Sequence, residues 1–564
     1  MVSPPSPAYL YRPVDAGHGG FRVAILEPSI EFLRRYVAAY LRLPSSLILI
    51  MRQFPMFGAI PTSRHLWRSK ALRHIRFPDK KRYIWADALC IDQTNLEERG
   101  QQVQQMKEIY SHCTRDLIWL GESNERTERG IQVLMHAQIV IGKHTMEWSV
   151  LSAILDHSGI PDRFHGPFGH GTFEQDIWDI FTSVQVIQHQ RDSFTRVQPI
   201  NSTLLDVLSR FQQTYSTDPR DKIFGLLGLA TNEHGIVPSY FKSVREVYTD
   251  VAYAQIQAEQ NLDMIAQSMW PLGAGSDESK DGLSASVTAG LPSCVPNFWL
   301  TERETLLFAQ RGIFAAGSSI FSEPVTVTPL GKLCIRGTFL GSIKVLRALG
   351  SEIVPRNPGE SKWVKHWLPE SLKDDSVGQS MYPTGEDLFE AYWRTLLADC
   401  RMYPAQRLSP QDIEEHSQIF GRWRQFSDVA LPDNLFQYTS QVPVTWSERD
   451  EEAYKAACEL GRINSLNHKM GKWQFAELDA GLYAMVPCPA SCRADRTAVQ
   501  VNDWILVVDG GKVPLVIRQV KSGLEQVDEE WEVLGTAYVH GFMDGRANEW
   551  VNEARLERSS ITLV

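Results

Sequence analysis

The feature that most constrains this chain is the stretch from Lys81 to Glu122, where two apolar runs flank a long helical pattern. Arg82 to Leu89 (RYIWADAL) is short, apolar and aromatic, and predicts a buried strand. Thr94 and Glu97 then stand three apart, the spacing of a capping box, so a helix is expected to begin there. Val103, Met106, Tyr110 and Cys113 recur at steps of three and four and share one helix face. Gly100 weakens that helix by about 1 kcal/mol relative to alanine. Asp116 to Gly121 (DLIWLG) predicts a second strand. Strand, helix and strand within about 40 residues make a βαβ unit with a right-handed crossover.

That unit gives the chemistry a place. Ligands of parallel sheets bind beyond the carboxyl ends of the strands. The first strand delivers Asp87, Cys90 and Asp92 to that rim, and the second delivers Glu122. Each also has a purely structural reading: Asp92 as a helix cap, Asp87 as an arginine's partner, Glu122 as a solvated charge.

Composition narrows the function classes. Of 564 residues, 43% are apolar and 22% charged, enough for several ordinary cores and too few charges for a disordered chain. Lys plus Arg number 57 against 67 Asp plus Glu, and a net charge of −10 argues against a general nucleic-acid binder. Eight scattered cysteines do not make a disulfide framework, so a reducing compartment is expected. Cys488 and Cys492 form a lone C-x3-C, read as loop cysteines, and His165 and His170 lie in a glycine-rich loop without a third ligand. No metal or cofactor is expected. No run reaches the ~20 apolar residues of a membrane span, and neither end carries a secretory or lipidation signal, so a cytoplasmic protein is the expectation. The P-loop, dinucleotide, zincin and nucleophile-elbow motifs are all missing from the sequence.

Three regions are expected. Residues 1–240 mix strands and helices. Residues 241–470 read as mainly helical, with a β insert near 320–350. Residues 471–564 read as strands, a small barrel or sandwich, with Asp509-Gly510-Gly511 as a hairpin turn between Trp504–Val508 and Val513–Ile517 and a second turn at His540–Gly545. Gly273 to Gly290 and Asn357 to Ser380 are the linker candidates. Asp218-Pro219-Arg220-Asp221 opens an apolar helical run; Arg220 suits a salt bridge that anchors this helix, or a phosphate or acidic partner. The sixteen tryptophans are read as packing residues.

The block RYIWADALCIDQTNLEERGQQVQQMKEIYSHCTRDLIWLGE resembles the central block of the fungal heterokaryon incompatibility (HET) domain family. The match runs through Trp85, Asp87, Ala88, Cys90, Ile91, Gln93, Glu98, Arg99, Gln102, Val103, Met106, Ile109, Tyr110, Trp119, Leu120, Gly121 and Glu122, with Asp92 at the family's Asn/Asp position. Residues 9–29 resemble the family's opening strand pair. Ser216 to Ala230, with Asp218, Arg220 and Asp221, resemble its Asp-Pro-Arg-Asp block. Leu291 to Phe298 match a segment that usually has Trp where Cys294 stands, and Tyr382 to Asp399, residues 501–520 and residues 531–545 resemble segments of the C-terminal half. Two family blocks are missing: the aromatic A-L-S-Y-x-W-G strand before the central block, and R-x-W-x-x-Q-E after it.

The resemblance implies an α/β fold: a TIR/flavodoxin-like parallel-sheet N-terminal domain, short of a strand and a helix, then a mainly helical region and a C-terminal β-rich domain. It implies a cytosolic signalling effector that triggers incompatibility-type cell death in fungal non-self recognition, through protein partners or self-association. Catalysis is not the first expectation. The alternatives are TIR-like cleavage of NAD, with NAD as substrate and Asp87, Glu98 and Glu122 as the site, and a degenerate member that only binds partners.

Overall fold

The computed structural model describes residues 21–26, 36–40, 47–51, 79–112, 115–118, 202–212, 218–232, 234–267, 290–299, 311–317, 323–328, 331–348, 381–401, 406–426, 447–461, 473–487, 499–520 and 529–564, with single positions between them. The chain is mixed α/β and divides into two compact units, Met1–Val247 and Tyr248–Val564.

The first unit holds a five-stranded sheet of β1 (Phe21–Leu26), β2 (Tyr36–Tyr40), β3 (Leu47–Met51), β4 (Arg82–Trp85) and β5 (Arg115–Ile118), in the order β2-β1-β4-β3-β5. β3 runs parallel to both β4 and β5, whereas β1 is antiparallel to β2 and β4. The expected parallel sheet is therefore corrected to a mixed one. The reason is the link between β1 and β2, residues 27–35, which is shorter than the dozen or so residues a parallel crossover needs. LILIM (residues 47–51) lacks the family's aromatic signature, yet it forms the strand between β4 and β5, with Ile48 opposite both Ile84 and Arg115. Five consecutive apolar residues are the pattern of a strand inside a parallel sheet.

The first strand of the central block ends earlier than its sequence suggests. Leu89 and Cys90 N–H both reach the Ala86 carbonyl at 2.9 Å, winding Asp87–Cys90 into the short helix α1. Helix α2 (Leu96–His112) follows, but Thr94 does not cap it. Asn95 Oδ1 accepts from the Glu98 amide at 3.1 Å, while the Thr94 hydroxyl turns back to Asp92 Oδ1 at 2.7 Å. Asparagine outranks threonine as a cap, and the register moves by one residue. Gly100 is buried, and a Cβ there would stand 3.3 Å from the Pro238 carbonyl, a tight approach that suits glycine. Of the expected apolar face, Val103 and Met106 are half-buried; among the described side chains of the helix, Glu98, Gln102 and Ile109 are buried. Helix α3 (Leu204–Arg210) begins at a Thr203/Asp206 capping box, α4 spans Asp221–Phe224, and α5 (Val244–Glu259) carries the boundary between the units.

The second unit is built on a large, mostly antiparallel sheet. Its strands are β6 (Thr326–Val327), β7 (Leu333–Ala348), β10 (Trp473–Leu478), β11 (Tyr483–Pro487), β12 (Trp504–Val508), β13 (Leu515–Val520), β14 (Glu530–Thr536), β15 (Tyr538–Val539) and β16 (Arg558–Leu563); β8 (Cys400–Arg401) and β9 (Gln406–Arg407) pair separately. β7 pairs with β12, β12 with β13, β13 with β14, β14 in parallel with β16, and β16 with β7 again. The pairing returns to its origin, so five strands close into a ring and leave no edge among themselves. β7 has 16 residues and runs past the ring to pair with β10, which leads on to β11 and β15. The strand-forming residues near 320–350 and those after 471 thus share one sheet.

Among the described residues, helices α6 (Leu388–Leu397), α7 (Pro410–Gln425), α8 (Glu448–Gly461) and α9 (Arg546–Asn552) also belong to this unit. Trp393 of α6 stacks on Phe420 of α7 with ring centroids 5.3 Å apart, and Trp423, Trp473 and Trp531 are buried, as packing tryptophans should be. The β12–β13 hairpin forms where Asp509-Gly510-Gly511 announced it. Its tip is not free: the Gly510 carbonyl accepts from the Leu262 amide at 2.9 Å and the Gly511 carbonyl from the Gly317 amide at 3.0 Å. Gly510 has φ +76°, which favours glycine.

Candidate functional site

Two motifs far apart in the sequence meet in the first unit. Arg99, on the first turn of α2, spreads its guanidinium over two carboxylates: Nη1 donates to Asp218 Oδ2 at 2.9 Å and Nη2 to Asp221 Oδ2 at 2.6 Å. Its carbon lies 3.8 Å from the centroid of the Tyr240 ring, a cation–π contact. The Tyr240 hydroxyl donates to Asp221 Oδ1. Arg220 grips Asp218 from the other side, Nε to Oδ1 at 3.0 Å and Nη2 to Oδ2 at 2.9 Å. Its Nη1 donates to the carbonyls of Tyr240 and Lys242 at 2.7 and 2.8 Å, holding the backbone on both sides of the exposed Phe241.

The charges balance: two arginines face two aspartates. Burial alone would lower the Arg99 pKa, but Asp221, Tyr240 and Asp218 outweigh it and hold it above the ordinary value. Burial would raise Asp218, yet hydrogen bonds from the Arg220 side chain and backbone, with the charges of both arginines, hold it below the usual carboxylate range. Asp221 lies above that range, chiefly through burial, with the charge of Asp218 adding to it. Burial and the charge of Asp221 push Tyr240 up, so its hydroxyl keeps its proton and serves as a donor. Beside this cluster Lys222 is buried, its Nζ donating to the Gln212 carbonyl at 2.7 Å, and burial lowers its pKa to about 8. The arrangement is a clamp. Its charges satisfy each other, and Arg220 takes the salt-bridge role rather than offering an open phosphate site.

Glu98, the neighbour of Arg99, has a different employment. It is buried, and its Oε1 accepts from the Asp92 amide at 3.0 Å, tying the turn after α1 to the start of α2. Asp92 in turn accepts from the Thr94 amide and hydroxyl at 3.0 and 2.7 Å. Trp85 and Cys90 are buried, and Gln93 is exposed on the same turn. Asp87 opens α1, at the carboxyl end of β4. Trp119, Gly121 and Glu122 lie outside the described residues, as do the Tyr110 side chain, His165, His170, Cys488 and Cys492, and nearly all of both linker candidates. The structure therefore brings together Arg99, Asp218, Arg220 and Asp221, and separately Asp92 with Glu98. Asn95, Lys222 and Tyr240 were missed in the sequence. Asn95 is of a cap-forming residue type and directly precedes the helix, a signal that could have found it; Tyr240, in a short Pro-Ser-Tyr-Phe stretch, carries no local signal.

In the second unit, Tyr382–Asp399 and the turn at His540–Gly545 also converge. His540 Nε2 lies 3.3 Å from Glu386 Oε1 and its Nδ1 lies 3.2 Å from the Tyr538 hydroxyl. The Tyr382 hydroxyl donates to the His540 carbonyl at 3.3 Å and accepts from the Tyr483 amide at 2.8 Å. His540 and Thr384 hold the Glu386 carboxyl down at about 2 against the opposing effect of burial. His540, Tyr382 and Tyr538 are all but inaccessible, so this network fastens a turn to a helix entry. Among the described residues, no three His, Cys, Asp or Glu side chains are grouped to hold a metal ion, and no helix is long and apolar enough to cross a membrane.

Comparison with known proteins agrees with the sequence pattern. Residues 61–168 match the family described as Heterokaryon incompatibility protein (HET). The chain is 24% identical over 589 aligned positions to "Heterokaryon incompatibility protein 6, OR allele" of Neurospora crassa, covering 84% of this chain and 83% of that protein. No solved structure matches the chain.

Proposed function

Because the chain carries a HET domain and is a distant homologue of a heterokaryon incompatibility protein over most of its length, we propose that it is a signalling effector of incompatibility-type cell death. It acts in the cytoplasm, through self-association or protein partners, without a cofactor. The observation that carries this reading is the extent of the homology, which takes in both units rather than the HET segment alone. The N-terminal sheet belongs with TIR/flavodoxin-like sheets on this reading. Its parallel strands run β4-β3-β5, so the chain order reverses about β3, as it does where doubly wound sheets take their ligands. The fold alone does not fix the activity.

TIR-like NAD cleavage is the alternative. Glu98 is poorly placed for it, since its carboxylate already holds the Asp92 amide. The deciding experiment is hyphal viability after induced expression of the chain, beside an Asp87→Ala variant, with nicotinamide release measured in parallel. Death without nicotinamide release supports the effector reading. Death with release that stops in Glu122→Gln supports the enzyme. Healthy growth with soluble protein retires both.

A further inference from the structure

The face of α7 that meets α6 carries a titratable ring. Ser409 and Asp412 open α7 as a capping box: the Ser409 hydroxyl and amide reach Asp412 Oδ2 at 2.7 and 2.8 Å, and the Asp412 amide returns to the hydroxyl at 3.2 Å. His416 stands one turn further on, Phe420 two turns and Trp423 three, so the four share a face. Trp393 of α6 covers that face. Its ring stacks on Phe420 at 5.3 Å and meets His416 edge to face, with centroids 6.2 Å apart and planes at 87°. The His416 side chain is half-buried, so a proton reaches it from solvent. Its Nδ1, however, is buried and has no hydrogen-bond partner among the described residues. A neutral imidazole meets that position with a lone pair. An imidazolium must put an N–H there, which adds a buried donor and a charge with no acceptor beside them.

The surrounding charges do not offset that cost. Asp412 is buried a turn away on the same helix, but Ser409 shares its carboxylate, and Nη2 of Arg401 on β8 lies 2.9 Å from its Oδ1. Glu415 is exposed and screened by solvent. On α6, Arg394 is taken by Glu390 and Asp399 at 3.0 and 2.8 Å; on α8, Glu459 is taken by Arg422 at 2.8 Å. Burial therefore lowers the His416 pKa from its ordinary 6.5, with Asp412 and Glu415 opposing and Arg401 assisting.

We infer that His416 is an acid-sensitive latch between α6 and α7. Neutral, the ring lies against Trp393 and completes the α7 face; charged, it leaves the interface for solvent and α7 loosens on α6. The folded helix binds fewer protons than the opened one. Its stability is therefore complete above the ordinary imidazole pKa and drains as pH falls through that value toward the lower folded one. One unit below the ordinary pKa, at pH 5.5, the opened state gains at most about tenfold.

Hydrogen exchange of the full chain at pH 7.5 and 5.5 tests this, with each rate taken relative to unstructured backbone at the same pH. In the wild type, the amides from Phe420 to Trp423 should lose protection about three- to tenfold at pH 5.5, while those of β12 keep theirs. His416→Leu fills the interface without a titratable ring and should hold α7 equally at both pH values. His416→Gln, polar but never charged, serves if the leucine variant fails to fold, and it too should be independent of pH. A wild-type loss under about threefold, or an equal loss in His416→Leu, overturns the latch. So does protection that rises in acid, the result of an imidazolium held on the Trp393 face. An equal loss in β12 also overturns it, because acid would then be opening the unit as a whole.

Discussion

Lys222 gives the sharpest stability test. Its side chain is 5% exposed and burial lowers its pKa from 10.5 to about 8. Between those two values the unfolded chain binds the proton and the folded chain does not, so stability rises with pH across that window. Below pH 8 both states are charged and the full cost of burying the ammonium is present. At 1.36 kcal/mol per pKa unit, the cost at neutral pH is roughly 3 kcal/mol. Lys222→Met removes the charge and keeps most of the chain length. It forfeits the 2.7 Å bond to the Gln212 carbonyl, worth about 1 kcal/mol. The net expectation at pH 7 is a variant more stable by about 1–2 kcal/mol. Urea titrations from pH 7 to 10.5, read by pulses of proteolysis that report loss of the unit ending at Val247, would show it. The wild type should gain stability with pH, and the variant should stay flat by comparison. A variant destabilised at pH 7, or a wild type with no gain between pH 8 and 10.5, would refute the claim that this ammonium is buried at a cost.

Other outcomes follow from the same structure. Arg99→Ala should destabilise the first unit by about 3 kcal/mol, and a double-mutant cycle with Asp221→Asn should return a coupling of about 1–3 kcal/mol; additive losses would show that the two do not interact. Asp218, held below its unfolded pKa, contributes stability at neutral pH that is lost as pH falls through the folded value, so Asp218→Asn should be less stable at pH 7 and less sensitive to acid in a thermal melt. Leu49→Pro interrupts β3 where Leu49 stands opposite both Trp85 and Asp116; hydrogen exchange should accelerate in β4 and β5 together and leave β12 unchanged. Gly317→Ala would drive a Cβ against the Val508 carbonyl and to 2.7 Å from that of Gly511, lowering stability by about 1–3 kcal/mol in a denaturant titration of the second unit.

Local order was readable where its cause was local. The aromatic run of β4, the charged start and long body of α2, and the DGG turn of the β12–β13 hairpin all declare themselves through neighbours a few residues away. The early end of β4 and the shift of the cap from Thr94 to Asn95 are contests between adjacent residues of similar preference, which pattern alone does not decide. LILIM could be seen as apolar but not as central, because strand order is set by pairing, and nothing in five apolar residues names their partners. The clamp was invisible for the same reason. Glu98-Arg99 and Asp218–Asp221 each stood out, but an ion pair across more than a hundred residues leaves no spacing to read. The long β7 is similar: β character near 320–350 was visible, and its place at the seam of the ring was not.

That seam has a consequence for synthesis. β7 is finished at Ala348, but β16, which closes one side of it, begins only at Arg558. At about 5–20 residues per second, translating the intervening stretch takes roughly 10–40 s. Throughout that interval a long strand waits on the ribosome with an unpaired edge, far longer than a hairpin needs to form. Newly made chains on neighbouring ribosomes are the nearest competitors for that edge. Yield in the cell should therefore depend on elongation rate and on chaperones that shield the waiting strand, even where the finished protein is stable.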